Sequence, residues 1–167
     1  YFRSPDWTGA PAIRRLDPTI AFYFHNIPLP RPYTVRWEGK VFAPVPGTYR
    51  FTTQSIDESL LEIDGKTVIE NRGTNQRVDG TLTLTTGWHD IVLRFADRTS
   101  YTQVYLYWAP PGGAYEIIPS NVLRPPMGEY PSVEAMQALL AEAAKPAPAG
   151  SVKQVTAAAA SEGLPRL

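Results

Sequence analysis

Phe42-Ala-Pro-Val-Pro-Gly-Thr-Tyr-Arg-Phe51, followed by Leu60-Leu-Glu-Ile-Asp-Gly-Lys-Thr-Val-Ile69, decides the fold. Each stretch is a strand interrupted by its own turn. Pro46-Gly47 closes the first, and Asp64-Gly65 is the dipeptide that best supplies the positive φ angles of a two-residue type I′ hairpin. Around these turns the apolar residues alternate. Val35, Trp37 and Val41 point one way, while Thr34, Arg36, Glu38 and Lys40 point the other. Tyr49, Phe51 and Thr53 continue the pattern, and after them Leu61 and Ile63. Successive side chains leave a strand on opposite faces, so a period of two over several runs predicts half-buried antiparallel strands.

The same reading extends along the chain. Gly80–Thr85, Trp88–Ala96, Val104–Trp108 and Tyr115–Ile118 are the later strand candidates. Ile91, Leu93 and Phe95 share a face opposed by Asp90, Val92 and Arg94; Val104, Leu106 and Trp108 alternate with Tyr105 and Tyr107. The first thirty or so residues are punctuated by Pro5, Pro11, Pro18, Pro28 and Pro30, each lacking a backbone donor, and Ile20–Phe24 is the strand candidate among them. Many short strands with turn signals at this spacing predict an all-β sandwich or barrel whose core includes Trp37, Phe51, Ile63, Leu93 and Trp108.

The composition changes after Pro126. Val133, Met136, Leu139, Leu140 and Ala143 have helical spacing, with Ser132 as N-cap, Glu134 in the first turn, Lys145 in the last and Pro146 as the stop. The stripe is narrow, so this helix is expected to dock on the sandwich or on a partner. The expected organisation is a β-domain over 1–126, a short helical extension over 127–146 and an Ala-, Pro- and Ser-rich flexible tail or linker over 147–167.

The chain has 167 residues with 16 basic and 16 acidic, a net charge of zero. Without a basic excess there is no long-range attraction for phosphate backbones or anionic lipid, so neither nucleic acid nor a membrane surface is an expected partner. Apolar residues make up 43% of the chain, which supports one core-bearing domain. There is no cysteine, which removes disulfides, thiolate catalysis and sulfur-ligated metals from consideration. No apolar run of about eighteen residues is present, so membrane insertion by a helix is not expected. The opening Tyr1-Phe2 reads as mid-strand, so the chain is expected to be an excerpt of a longer precursor.

Several motifs fall in an order that resembles one family. They are Trp7-Thr-Gly9, Asp17-Pro18, Val35-Arg-Trp-Glu-Gly39, Pro46-Gly-Thr-Tyr-Arg-Phe51, Ser55-Ile-Asp-Glu-Ser59, Ile63-Asp-Gly-Lys66 and Gly87-Trp-His-Asp-Ile91. Together they resemble the PA-fourteen (PA14) domain, named after the anthrax protective antigen, over about Tyr1 to Pro125. The resemblance implies a lectin-like β-sandwich found outside the cell in adhesins, toxins, glycosidases and membrane glycosyltransferases. In sugar-binding members, two adjacent aspartates joined by a cis peptide hold a calcium ion that ligates sugar hydroxyls, with help from a later asparagine.

This chain departs from that pattern. It reads Ser55-Ile56-Asp57-Glu58, so the first carboxylate of the pair is replaced by Ile56. Asp57 matches the second aspartate and Asp97 falls near the asparagine position. A non-proline cis bond costs about 3–4 kcal/mol, and no metal clamp is evident to hold one here. Calcium takes six to eight oxygens. Two alternatives follow: a weak, degenerate Ca²⁺ site on Asp57 and Asp97 with Glu58, or solvated loop carboxylates with no cofactor.

Catalytic chemistry is not indicated. His25 and His89 lack a third ligand or a nucleophile motif, and His89 falls at a structural corner. Asp57, Glu58, Glu62 and Asp64 are close in sequence, but Glu62 lies on a polar strand face and Asp64 is taken by the turn, so a glycosidase pair is not expected. Candidate ligand-binding groups lie elsewhere. If Val104, Leu106 and Trp108 face inward, Tyr105 and Tyr107 form an outward ladder near Tyr101, able to stack on sugar C–H faces or anchor a protein, or to serve as ordinary cross-strand pairs. The polar loop Glu70–Arg77 adds Asn71 and Asn75 as candidate hydroxyl-binding donors. The expected function is a non-catalytic extracytoplasmic module at the cell surface that recognises carbohydrate. Its alternatives are a structural or protein-interaction domain, or an accessory domain of a membrane glycosyltransferase or glycosidase.

Overall fold

A computed structural model describes residues 1–24, 27–73, 75–99 and 101–145. Among these described residues, ten strands form two antiparallel sheets. One runs β1 (Ala21–Phe24), β8 (Thr102–Ala109), β3 (Gly47–Ser55), β6 (Gln76–Leu84), with β9 (Glu116–Ile117) on β8; the other runs β10 (Leu123–Arg124), β2 (Tyr33–Ala43), β7 (Gly87–Asp97), β4 (Ser59–Ile63), β5 (Lys66–Asn71). The layers face each other as a sandwich, and their inward positions are the apolar ones of the sequence pattern. Phe51, Ile63 and Leu93 are fully buried and Trp108 nearly so, joined by Tyr49, Leu61, Phe95, Val104 and Leu106.

The turn chemistry is realised. Asp64 and Gly65 have φ of 48° and 71° and join β4 to β5, as a type I′ turn requires. Pro46 leads into β3. Tyr1-Phe2 does not extend into a strand; Phe2 makes an isolated antiparallel bridge to Thr34. The strand expected over Tyr115–Ile118 is reduced to Glu116–Ile117.

Trp37 departs from the expected core. It is only half-buried, because its indole Nε1 donates to Asp17 Oδ2 at 2.8 Å and its ring stacks on Phe22 at 5.6 Å. Beside it a cavity of about 840 Å³ opens between the N-terminal arm, β2 and the 118–126 segment, with Val35, Leu93 and Leu106 in its wall. Asp17 also pairs with Arg15 at 2.9 Å within the arm, and its bond to the Trp37 indole ties the arm to β2 beside that opening.

The helix α1 (Val133–Ala143) begins where Ser132 accepts from the Ala135 N–H at 3.2 Å. It docks on the sandwich itself: Met136 is 1% exposed, Gln137 bonds the Pro44 carbonyl, and Val133 and Leu140 pack on the core. Lys145 lies beyond the C-cap Ala144 instead of in the last turn, and pairs with Glu142. Pro146, the 147–167 tail and His25 lie outside the described residues.

Candidate functional site

The rim where β3 turns into β4 and β7 into β8 carries the predicted carboxylates. Asp57 follows the last residues of β3, and it is not a solvated loop residue: it is 8% exposed. Its Oδ2 accepts the Arg98 N–H at 2.8 Å and the Thr99 N–H at 3.0 Å, and its Oδ1 accepts the Thr99 hydroxyl at 3.0 Å. Three hydrogen bonds thus use this carboxylate to hold Arg98 and Thr99. Glu58 lies outside this cluster and pairs with Arg98 at 3.2 Å.

Asp97 ends β7 and is completely buried. Burying a bare carboxylate is costly, so it must have a charged partner. That partner is Arg31, whose Nε sits on Asp97 Oδ1, while its terminal nitrogen donates to Thr102 Oγ1 at 3.1 Å. Thr102 donates to the other Asp97 oxygen and shares a 3.0 Å hydrogen bond with the Tyr33 hydroxyl. Burial, with Asp97 beside it, pushes the Tyr33 hydroxyl well above its ordinary range, so it takes part in this network as a neutral hydroxyl.

This donor set does not fit a calcium ion. Ile56 is buried and offers only backbone contacts, Asp57 is engaged by backbone donors, and a guanidinium lies against Asp97. The cis bond belongs to Arg31–Pro32, not to Ile56–Asp57. Among the described residues no cluster of three or more His, Asp or Glu could hold a metal.

The predicted polar loop divides. Asn71 is buried, its amide donating to the Gln76 carbonyl at 3.1 Å and its oxygen accepting the Gly73 N–H at 3.1 Å, so it braces the loop and presents nothing outward. Asn75 is exposed in the left-handed region at φ 54°, with its N–H on the Ile56 carbonyl. His89 is also structural: it is 7% exposed and bridges Asp64 at 2.6 Å and the Thr85 carbonyl at 2.8 Å.

The aromatic ladder is present, and it is longer than the alternation suggested. On the outer face of the β8 sheet, Tyr105 and Tyr107 lie 6.1 Å apart, and Tyr107 stacks on Tyr115 at 5.2 Å. Toward the rim, Tyr101 meets Tyr23 edge-on at 5.7 Å. β1 pairs with β8 so that Tyr23 opposes Gln103, which places both tyrosine groups on one surface. Two arginines join it. Arg50 lies 4.5 Å over the Tyr115 ring, and Arg77 lies 5.4 Å over Tyr107 while donating to Gln54 at 2.8 Å. The register explains the meeting: Arg50 opposes Ala109, Thr52 opposes Tyr107 and Gln54 opposes both Tyr105 and Arg77. Thr52 points outward yet is buried under this layer.

Arg31, Thr102 and Arg50 carried no local signal, while Tyr115 and Arg77 were visible only as members of a strand candidate and of the polar loop. Each reaches its place through a pairing between distant strands or, for Arg31, from the proline-rich lead-in.

A family model described as the PA14 domain matches residues 1–121. Among solved structures, an anti-sigma factor domain-containing protein from Clostridium clariflavum is similar at 28% identity and TM-score 0.67, over 77% of this chain and 46% of that one. A second anti-sigma factor domain-containing protein is similar at 29% identity and TM-score 0.63, over 71% of this chain and 44% of that one. The PA14 domain of the MpAFP antifreeze protein shares the fold at 23% identity and TM-score 0.52, over 59% and 54% of the two chains. The chain therefore spans about half or less of each of these structures. No curated protein matches it.

Proposed function

Because the chain belongs to the PA14 domain family, we propose that it is a non-catalytic, extracytoplasmic module that recognises carbohydrate through its tyrosine face, without a calcium ion. The tyrosine ladder carries this reading. Tyr107 and Tyr115 form a stacked pair flanked by Tyr105, and aromatic rings bind the apolar C–H faces of sugars where flat aliphatic surfaces bind poorly. The family's precedent supports a sugar ligand; the rim supports a mode other than calcium ligation, since both candidate carboxylates already have internal partners. Nothing in the rim supplies a carboxyl pair for hydrolysis, so any activity is assigned to other parts of a parent chain. No helix of the described residues is long and apolar enough to cross a membrane.

Binding to a glycan array in calcium and in excess chelator tests the proposal. The expected result is a set of glycans bound equally in both conditions and lost on Tyr107→Ala. Binding that disappears with chelator would return the site to the rim and overturn the calcium-free mode.

Ile56 favours a second reading, a protein-interaction domain, because it removes an oxygen that sugar-binding relatives use. Absence of binding to any glycan, together with capture of a defined partner that Tyr107→Ala releases, would select it.

A further inference from the structure

The two outer faces of the sandwich treat their charges differently. On the β2 sheet, three cations are matched by carboxylates, Arg36 with Glu38, Lys40 with Asp90 at 2.6 Å and Arg94 with Glu62 at 3.0 Å, while Arg124 at the edge lies over Trp88 and spends its donors on the Asn121 and Leu123 carbonyls. On the β8 sheet, Arg50 and Arg77 belong to no ion pair among the described residues and lie on tyrosine rings instead. A guanidinium stacked on a ring keeps its in-plane N–H donors available, because the ring engages only its flat face. The ladder therefore combines apolar ring surface with two cations, near Tyr107 and near Tyr115.

From this we infer that the ligand of the tyrosine face is an acidic glycan, one whose sugars carry carboxylate groups that Arg50 and Arg77 receive. The inference rests on the carbohydrate reading and narrows it to a class. Arg50 and Arg77 oppose Thr81 and Gln54 on strands β6 and β3, so the two cations sit at separate points along the ladder instead of clustering. That arrangement suits a polymer with repeated charges more than a single anion. Asp79 is the opposing element. It projects on the same face between them in the β6 register and accepts the Thr52 hydroxyl at 2.5 Å. Its charge repels an anionic chain locally and directs the carboxylates toward the two arginines.

The test uses the whole chain with polygalacturonate, with its methyl-esterified form, in which the carboxylates are neutral, and with a sulfated glycan. Arg50→Gln, Arg77→Gln, Asp79→Asn and Tyr107→Ala are compared with the parent. Each arginine replacement is expected to weaken polygalacturonate binding roughly three- to tenfold, as loss of a charge-assisted pair does. Asp79→Asn is expected to strengthen it, methyl esterification to weaken it as strongly as both arginine replacements together, and added salt to narrow all three differences. Equal binding of the esterified and acidic polymers, with both arginine variants unchanged and Tyr107→Ala inactive, would overturn the acidic class while leaving carbohydrate recognition standing. Preference for the sulfated glycan over polygalacturonate would overturn the carboxylate assignment. Indifference of all binding to Tyr107→Ala would instead remove the site itself.

Discussion

Replacing Arg31 by methionine is the sharpest test of how the rim is built. Asp97 has no exposed surface, whereas the Arg31 side chain is 21% exposed, so the carboxylate depends on the arginine far more than the reverse. Removing the guanidinium leaves Asp97 with the Thr102 hydroxyl and no charge partner. An uncompensated buried charge of this kind costs about 3–5 kcal/mol. Against a typical domain stability of roughly 5–15 kcal/mol this is a large fraction. At roughly 3 °C per kcal/mol for a chain of this size, the melting temperature should fall by about 10–15 °C. Urea denaturation of Arg31→Met, Asp97→Asn and the double variant gives the coupling. The double variant should recover most of the loss, because neither charge is then stranded. Millimolar calcium should not stabilise Arg31→Met, since only the Asp97 oxygens are released and Asp57 stays engaged by Arg98 and Thr99. A loss below about 1 kcal/mol, the value of an exposed pair, with no coupling to Asp97, would refute the reasoning. So would a calcium-dependent rise in melting temperature.

Further outcomes follow from other contacts. Asp57→Ala frees the Arg98 and Thr99 N–H groups, and should cost about 1–3 kcal/mol and raise amide exchange across 97–99. Gly80→Ala should cost about 1–3 kcal/mol in urea denaturation, because an added Cβ would stand 2.1 Å from the Val68 carbonyl oxygen where β5 meets β6. Met136→Ala, at the helix contact, should cost about 2–5 kcal/mol and increase proteolysis near 130–145. The Asp64 carboxyl gives an acid limb. Burial alone would raise it, but hydrogen bonds from His89 and the Asp90 N–H, with the nearby His89 and Lys40 charges, hold it below its usual value. A lowered folded-state value contributes stability above the unfolded value and loses it as pH falls through the folded one. Stability should therefore decline below about pH 4 more steeply in the parent than in Asp64→Asn, which keeps the positive-φ preference of the turn.

The strands were legible because their determinants are local. Val35 and Val41 in β2, Leu61 and Ile63 in β4, and the Asp64-Gly65 turn each act within a few residues, where period and turn chemistry operate. Ser132 gave the start of α1 for the same reason. Trp37 was misjudged because the alternation sees its ring and not its indole N–H, which is claimed by Asp17 twenty residues away. At the rim, Ile56 is a visible departure from the paired aspartates of sugar-binding relatives. What replaces that pattern was invisible: Arg31 and Asp97 are 66 residues apart, and their meeting depends on the β2–β7 register that sets Tyr33 against Asp97. The outward tyrosines were readable by parity within β8, but Tyr115 lies before a two-residue strand, and Arg50 and Arg77 arrive from neighbouring strands.

A rim held by its own side chains changes what a ligand can gain there. In a metal-centred site the ion both shapes the loops and offers open coordination positions to the sugar. Here Asp57 holds the Arg98 and Thr99 backbone donors, and Arg31 neutralises Asp97 from within the chain. A guanidinium satisfied by Asp97 and Thr102 has little left to offer a hydroxyl, and it lies mostly beneath the surface. On the calcium-free reading proposed above, these side chains take the shaping role and the coordinating role has no counterpart. Ligand affinity, on that proposed reading, comes from groups that remain unsatisfied in the folded chain. Those are the exposed parts of Tyr101 and Tyr115 and the terminal in-plane donors of Arg50 and Arg77, the Arg77 Nε being held by Gln54, and their individual contacts are weak and exposed. Useful affinity on such a face grows with the number of rings and cations engaged at once. A repeating, charged polymer meets that condition, and an isolated monosaccharide does not.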